Sequence, residues 1–324
     1  MRFFITGATG FIGAHLVESL ISQGHEVHAL CRSESRASKL NKKTKILIGD
    51  LFDRATITKG MEGCDYVVHL AAHAKAWAKD SGTFYRINVT GSRLVLEASR
   101  ELGVRRTIVV STAGIYGASF DGIIDEDFVR KKDFFNEYEG SKALAESWVK
   151  DYIIEGLDVI LVNPTRVYGP YQHGEPEALA LMIKRLINGK LRLLPAPPDR
   201  IGNYVFVNDV VEGIQLAISK GKTGRTYILG GENKSSREFF HTLSEVAGIR
   251  IRMITIPLGI ISLIVWLYYI TARLLGKEPR VTPKWIAKVR YNWTVSSARA
   301  EKELGYKITS LRDGLKKTVA SLDR

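Results

Sequence analysis

The stretch Thr6-Gly7-Ala8-Thr9-Gly10-Phe11-Ile12-Gly13 decides the fold. It follows an apolar, β-prone run, Arg2–Thr6, and opens a helix-prone run, Ile12–Gln23. Glycines at this junction permit a tight turn and let the backbone come close to a pyrophosphate. The helix start adds free N–H groups and partial positive charge. A glycine triad alone is a common turn. Between a strand and a helix, at the head of a strand–helix chain, it predicts a phosphate cradle.

The same alternation continues outward. Glu26–Leu30, Lys45–Ile48, Tyr66–Leu70, Arg106–Ser111 and Asp158–Asn163 are rich in Val and Ile, and several are apolar almost throughout. Such runs suit strands buried on both faces of a parallel sheet. Helical stretches at Thr83–Leu102 and Tyr138–Glu155 separate some of them. The pattern predicts a doubly wound α/β domain. After Pro164 the chain becomes denser in Pro and Gly, as in Gly169-Pro170 and Pro195-Ala196-Pro197-Pro198, and its strands shorten. We expect a dinucleotide-binding domain over 1–163, with 203–230 returning to it. A smaller substrate domain is expected from 164–202 and 231–324.

Composition narrows the function classes. The 324 residues hold 47 Lys and Arg against 34 Asp and Glu, a net charge of +13, with 45% apolar residues. That balance excludes a disordered tail, a collagen-like fibre and a disulfide scaffold. Cys31 and Cys64 are too few for a disulfide framework or a cysteine-rich zinc site, and a reducing compartment is the simplest reading. His69 and His73 are four apart, but the first sits in a strand, so helical ligand spacing does not apply and no metal is expected. The start Met1-Arg2-Phe3-Phe4-Ile5 is too short to be a secretory signal, which needs about 7–15 apolar residues. The expectation is a cytoplasmic protein. The longest basic run is Arg130-Lys131-Lys132, so nucleic acid is not an expected partner.

One segment is set apart by hydropathy. Met253–Ala272 carries no formal charge and includes Ile260-Ile261-Ser262-Leu263-Ile264-Val265-Trp266-Leu267. Three readings are open: a buried or dimer-forming helix, an apolar surface on a membrane or a greasy substrate, and a membrane span. Pro257, Gly259 and the basic residues flanking both ends weigh against the span.

Two further patterns point to chemistry. The second strand ends Ala29-Leu30-Cys31-Arg32-Ser33, with no carboxylate where an acidic residue would hold the 2′-hydroxyl of NAD, although Glu34 is close. Arg32 can instead fork onto a 2′-phosphate, which favours NADP(H) and leaves NAD(H) open; stacking on the adenine is the other use of that side chain. Tyr138 and Lys142 are four apart on one helix face, following the fifth strand. A lysine cation there lowers the pKa of the phenol, so that Tyr138 can exchange a proton with a carbinol oxygen.

These residues belong to an ordered series. After the glycine loop come Gly49-Asp50-Leu51-Phe52-Asp53, His69-Leu70-Ala71-Ala72, Asn88-Val89-Thr90-Gly91, Ser111-Thr112-Ala113-Gly114-Ile115-Tyr116-Gly117 and Tyr138-Glu139-Gly140-Ser141-Lys142. Asn163-Pro164-Thr165-Arg166-Val167-Tyr168-Gly169-Pro170 and Glu303-Leu304-Gly305-Tyr306 complete it. In spacing and order the chain resembles the extended branch of the short-chain dehydrogenase/reductase superfamily, the NAD-dependent epimerase/dehydratase type. The group closest in motif is that of dihydroflavonol reductase and 3β-hydroxysteroid dehydrogenase.

The resemblance implies a Rossmann-type doubly wound parallel sheet with a smaller, discontinuous α/β substrate domain. It also implies that Thr6, Gly7, Thr9, Gly10, Phe11, Ile12 and Gly13 bind the dinucleotide, with Asp50 and Leu51 flanking the adenine and Ala71 and Ala72 lying along it. Pro164 and Val167 would pass the nicotinamide carboxamide. Thr112 would complete a catalytic set with Tyr138 and Lys142, Ser111 being its adjacent alternative; Lys142 would also hold the ribose. Asn88 would bond main chain or support a water relay, or else simply tie a helix to a strand. His73, Trp77, Tyr116, Asn163 and Tyr171 are candidate substrate contacts. A homodimer is common in the family.

Within this branch the reaction is read from departures. Dehydratases place Asp-Glu after the Thr, whereas Ala113-Gly114 stand here. Nucleotide-sugar enzymes carry an Arg before the aromatic strand residue, where Gly202 stands, with Arg200 and Arg166 nearby. The expectation is therefore an oxidoreductase interconverting a carbonyl and a secondary alcohol on a fairly hydrophobic small molecule. The alternatives are a nucleotide-sugar 4-epimerase that retains NAD and a dinucleotide sensor without turnover.

Overall fold

A computed structural model of the chain describes residues 1–120, 122–170, 178–189, 193–249 and 253–322. Its strands are β1 (Arg2–Thr6), β2 (Glu26–Cys31), β3 (Lys45–Ile48), β4 (Tyr66–His69), β5 (Arg106–Val110), β6 (Val159–Pro164), β7 (Arg166–Tyr168), β8 (Leu193–Ala196), β9 (Ile201–Phe206), β10 (Thr226–Leu229), β11 (Glu232–Ser235) and β12 (Ile254–Pro257). Seven of them form one sheet in the order β10-β6-β5-β4-β1-β2-β3, each neighbouring pair parallel. This is the Rossmann-like doubly wound architecture.

The alternation of side chains along β1 explains the two layers. Phe3 and Ile5 pack with Leu16 and Val17 of the helix Phe11–Ser22, while Phe4 packs on the other face with Ile57, Met61 and Val95. A strand buried on both faces cannot slip by one residue without exchanging its two cores, so the register is fixed. Strand order reverses at β1: β2 and β3 lie to one side, β4, β5 and β6 to the other. The connections leaving β1 and β4 therefore diverge, and a crevice opens beyond their carboxyl ends.

The second part of the chain builds smaller sheets, β11-β9-β7 and β12-β8. The helix Val207–Lys220 packs on the main sheet and β10 joins it, while β9 pairs with β7 and β11 and lends Val205 to the core shared with β1. The helix expected over 83–102 runs unbroken from Gly82 to Glu101, with a π-helical turn at Arg86–Thr90 inside it.

The apolar segment forms the helix Leu258–Leu274, in which Ala272 is the sole buried residue. The reading of it as a buried core helix is corrected on that ground, because the body of the protein covers too little of it. Among the described residues no helix is long and apolar enough to cross a membrane.

Candidate functional site

The glycine loop is shaped by two close approaches. Gly7 has φ +73°, and a Cβ on it would fall 2.6 Å from the Ala71 nitrogen of the neighbouring loop. A Cβ on Gly13 would fall 2.2 Å from the Gly7 carbonyl oxygen, so the helix can press against the loop only without a side chain. The Gly10 N–H donates to the Gly7 carbonyl at 2.9 Å, and Gly10 is exposed at the helix start. The first-turn N–H groups have no carbonyl one turn earlier to bond, and they face the crevice end of β1. Bare backbone donors in a cradle that side chains would fill are what a dinucleotide phosphate requires, so the residues present fit that group.

A buried chain of hydrogen bonds stiffens the floor. The Thr6 hydroxyl accepts from the Ala71 N–H at 3.3 Å and lies 2.7 Å from His69 Nδ1. His69 Nε2 lies 2.9 Å from Ser92 Oγ, whose own proton goes to the Asn88 carbonyl at 2.6 Å. With the Ser92 proton spent, the pattern assigns the ring proton to Nε2 and makes Nδ1 the acceptor from Thr6. Burial, aided by the Lys142 charge, holds the imidazole pKa down to about 3, so His69 is a neutral structural element.

Arg32 follows β2 directly and is exposed, with no hydrogen-bond or ion-pair partner among the described residues. Asp50 is exposed and its carboxylate accepts from the Phe52 N–H at 3.1 Å, while Leu51 is buried in the core beneath. Ala71 and Ala72 are half-buried on the loop after β4.

The helix Glu137–Ile154 carries the proposed proton-transfer residues. Asn136 caps it, its side chain accepting from the Glu139 N–H at 2.9 Å. Tyr138, Lys142 and Glu146 then follow at successive turns of one face. Tyr138 is half-buried. Lys142 is 1% exposed, and its Nζ donates to the Val110 carbonyl at the end of β5 at 2.9 Å. Burial pulls the lysine pKa down to about 8, and Glu146 opposes that. Ser111 and Thr112 continue β5. The Thr112 hydroxyl accepts from the Gly114 N–H at 3.1 Å and keeps its own proton to donate. A Cβ on Gly114 would meet both Thr112 Oγ1 at 3.4 Å and Glu139 Cγ at 3.5 Å, which places Thr112 beside the first turn of the Tyr138 helix.

Ser111 points the other way. Its buried hydroxyl lies beside Glu146 without a hydrogen bond of normal geometry. Glu146 accepts from Asn163 Nδ2 at 3.0 Å, and burial raises its pKa. Asn163 is fully buried and also approaches the Tyr116 hydroxyl at 3.5 Å. Both therefore stand in a buried network behind Lys142, whereas a substrate contact was expected of them. Pro164 is buried at the end of β6, and Val167 is half-buried on β7.

On the opposite rim, Asn88 sits in the π-helical turn. Its Oδ1 accepts from the His73 N–H at 2.7 Å, and its Nδ2 donates to Ser141 Oγ at 2.9 Å, between Tyr138 and Lys142. A π-turn of this kind re-aims one side chain out of helical register. His73 and Trp77 are half-buried; the His73 ring meets Phe84 edge-on, and burial lowers its pKa. Tyr171 lies outside the described residues.

An ion cluster escaped sequence reasoning. Glu139, next to Tyr138, is fully buried and takes Arg130 at 3.0 Å and Lys288 at 2.6 Å. Arg130 also donates to the Gly114 and Ile115 carbonyls, each at 2.9 Å. The cluster ties the Thr112 loop, the Tyr138 helix and the C-terminal part of the chain together.

With this geometry in place, comparison with known proteins is specific. Residues 3–230 match the model of the NAD dependent epimerase/dehydratase family. A Synechocystis protein provisionally named a dihydroflavonol 4-reductase is 33% identical, the match covering 97% of this chain and 92% of that one. Sterol demethylase protein B of Methylococcus capsulatus is 31% identical over 99% of this chain and 98% of its own. A UDP-glucose 4-epimerase of Thermus thermophilus, solved with NAD, superposes with a TM-score of 0.78 at 25% identity, covering 100% of this chain and 99% of that one. Reductases and epimerases thus share the family, whose members are NAD-dependent enzymes. The chain belongs to the NAD-dependent epimerase/dehydratase family, within the extended short-chain dehydrogenases/reductases.

Proposed function

We propose that this protein is an NADP(H)-dependent oxidoreductase that interconverts a carbonyl and a secondary alcohol on a fairly hydrophobic small molecule. The observation that carries the cofactor choice is Arg32, exposed at the end of β2, with no carboxylate in the place that would hold a ribose 2′-hydroxyl. A guanidinium there meets a 2′-phosphate with charge-assisted hydrogen bonds. The glycine cradle, with Thr9, Phe11 and Ile12 beside it, takes the pyrophosphate.

When bound, the nicotinamide dinucleotide supplies or accepts the hydride. The chain's own residues handle the proton. In the reducing direction Tyr138 gives its phenolic proton to the substrate oxygen, and Thr112 donates a hydrogen bond to that oxygen as charge develops on it. Lys142 keeps a positive charge near the phenolate that results, which lowers the cost of proton release. In the other direction Tyr138 takes the alcohol proton. Asn88 and the Glu139 cluster keep the Tyr138 helix in register with the two loops that face it. The Synechocystis relative carries the provisional name of a dihydroflavonol 4-reductase and the Methylococcus relative that of a sterol demethylase protein, which supports an apolar substrate.

A second reading has one observation in its favour. The Arg166 guanidinium lies where a side chain on Gly202 would reach, with its Nη1 2.6 Å from that Cβ position. An arginine at that place is suited to a sugar diphosphate, as a 4-epimerase requires. Turnover of Tyr138→Phe on a panel of hydrophobic ketones with NADPH tests the main reading. Activity lost with NADPH binding intact supports it. A variant that is as active as the parent, or a parent inert on every ketone but active on UDP-hexoses, contradicts it.

A further inference from the structure

The helix Leu258–Leu274 has an outward stripe made of Ile260, Leu263, Ile264, Leu267 and Leu274, recurring at helical spacing. Leu263 is 56% and Leu267 50% exposed. Trp266 and Tyr268 flank the stripe, also exposed, and rings of that kind settle at the headgroup level of a bilayer. Soluble surfaces rarely leave so continuous an apolar face bare.

Charge surrounds this face. Residues 250–290 contain eight Lys or Arg against a single acidic residue, Glu278, although Lys284 and Lys288 are spent on Glu137 and Glu139. Arg273, Lys277, Arg280 and Arg290 have no carboxylate partner among the described residues. Seventeen residues make a helix of about 26 Å, short of the roughly 30 Å hydrocarbon core. Both ends also return to the same body. β12 enters the helix paired to β8, and beyond its exit Lys284 pairs with Glu137 at 2.7 Å and Glu278 with Lys75 at 2.8 Å. A helix anchored at both ends to one globular body lies along a surface and does not cross it.

We propose that this helix docks the protein in plane on an anionic phospholipid bilayer, its stripe among the acyl chains and its basic flanks on the headgroups. Two copies pairing through this face would bring two cationic patches together, whereas anionic lipid satisfies both the apolar stripe and the charge. The two ion pairs place the docked segment at the rim of the site, since Lys75 is in the His73–Trp77 loop and Glu137 precedes Tyr138. On the apolar-substrate reading, substrate dissolved in the bilayer has a short route to that rim; the docking itself does not depend on the reading.

The test is co-sedimentation of the full chain with vesicles of phosphatidylcholine alone or mixed with phosphatidylglycerol, with NADPH binding followed in parallel as an independent check of the site. Binding to the anionic vesicles at least about ten-fold stronger than to the neutral ones is expected, weakening with salt. The double variant Leu263→Glu/Leu267→Glu should lose at least about ten-fold of that binding and keep NADPH affinity. The proposal is overturned if the parent ignores anionic vesicles at low salt, or if the double variant binds them as well as the parent. It is equally overturned if light scattering shows a lipid-free dimer that the double variant dissociates while neither form binds vesicles.

Discussion

Glu146 lies one helical turn beyond Lys142, and both side chains are buried against the carboxyl ends of β5 and β6. The carboxylate limits how far burial can depress the lysine, which stands at about 8. Glu146→Gln removes the opposing charge while keeping the amide partner of Asn163. The lysine-dependent inflection in the pH profile of kcat/KM should then move to lower pH. Glu146→Asp, which restores the charge, should bring it back toward the parent value. A profile that is unchanged in Glu146→Gln would separate the two residues.

Burial of the Lys142 cation comes at the expense of the fold. Its pKa is about 8 in the folded protein against an ordinary 10.5, so the unfolded chain binds more protons between those values. The burden is complete below about pH 8 and fades as pH rises toward 10.5. Lys142→Met should lose about 10²-fold or more in turnover. At pH 7 it should be more stable than the parent by up to about 3 kcal/mol, an advantage that shrinks by pH 10. Urea unfolding at the two pH values measures both numbers.

His69 makes the opposite end of the pH range vulnerable. It is buried and neutral, with a pKa of about 3 against 6.5 in the open chain. The unfolded chain therefore gains a proton first as pH falls through 6.5, and stability is lost progressively down to about pH 3. The loss from this group is on the order of 5 kcal/mol. His69→Gln, which cannot titrate, should show a flatter fall in stability between pH 6 and about 4 than the parent in the same urea series.

The parts of the site legible in the sequence are those dictated by local geometry. Gly7 and Gly13 declare themselves because the backbone contacts they make exclude any side chain. Tyr138 and Lys142 stand one turn apart on one helix, as their spacing predicts. Other relationships depend on tertiary structure. Glu139 meets Lys288 across 149 positions and Arg130 across a loop, and nothing in local spacing marks them as partners. Asn163 and Tyr116 read as site residues from their motifs, yet strand packing turns them toward Glu146. Asn88 sits in a helical pattern that hides a π-turn, because one extra residue per turn leaves hydropathy unchanged. The stretch Met253–Ala272 is apolar enough to be a core helix. Hydropathy reports what a segment prefers, not whether the fold has a surface left to cover it.

Arg32 should discriminate between the two nicotinamide dinucleotides. Charge-assisted hydrogen bonds to a phosphate contribute about 1.5–3 kcal/mol, so Arg32→Ala should weaken NADPH binding roughly 10- to 100-fold. NADH affinity should change little. Fluorescence titration of both cofactors against parent and variant gives the ratio directly. Equal losses for the two would assign Arg32 to the adenine ring in place of the 2′-phosphate.

The most direct test of the exchanging-reductase account is the cofactor content of freshly purified protein, released by denaturation, followed by titration with NADPH and NADH. A reductase exchanges its cofactor on every turnover, so the protein should come largely empty and bind NADPH more tightly than NADH. Stoichiometric, tightly held NAD(H) would contradict the account, because an enzyme that reduces its own intermediate keeps its dinucleotide, and nucleotide sugars would become the substrates to try.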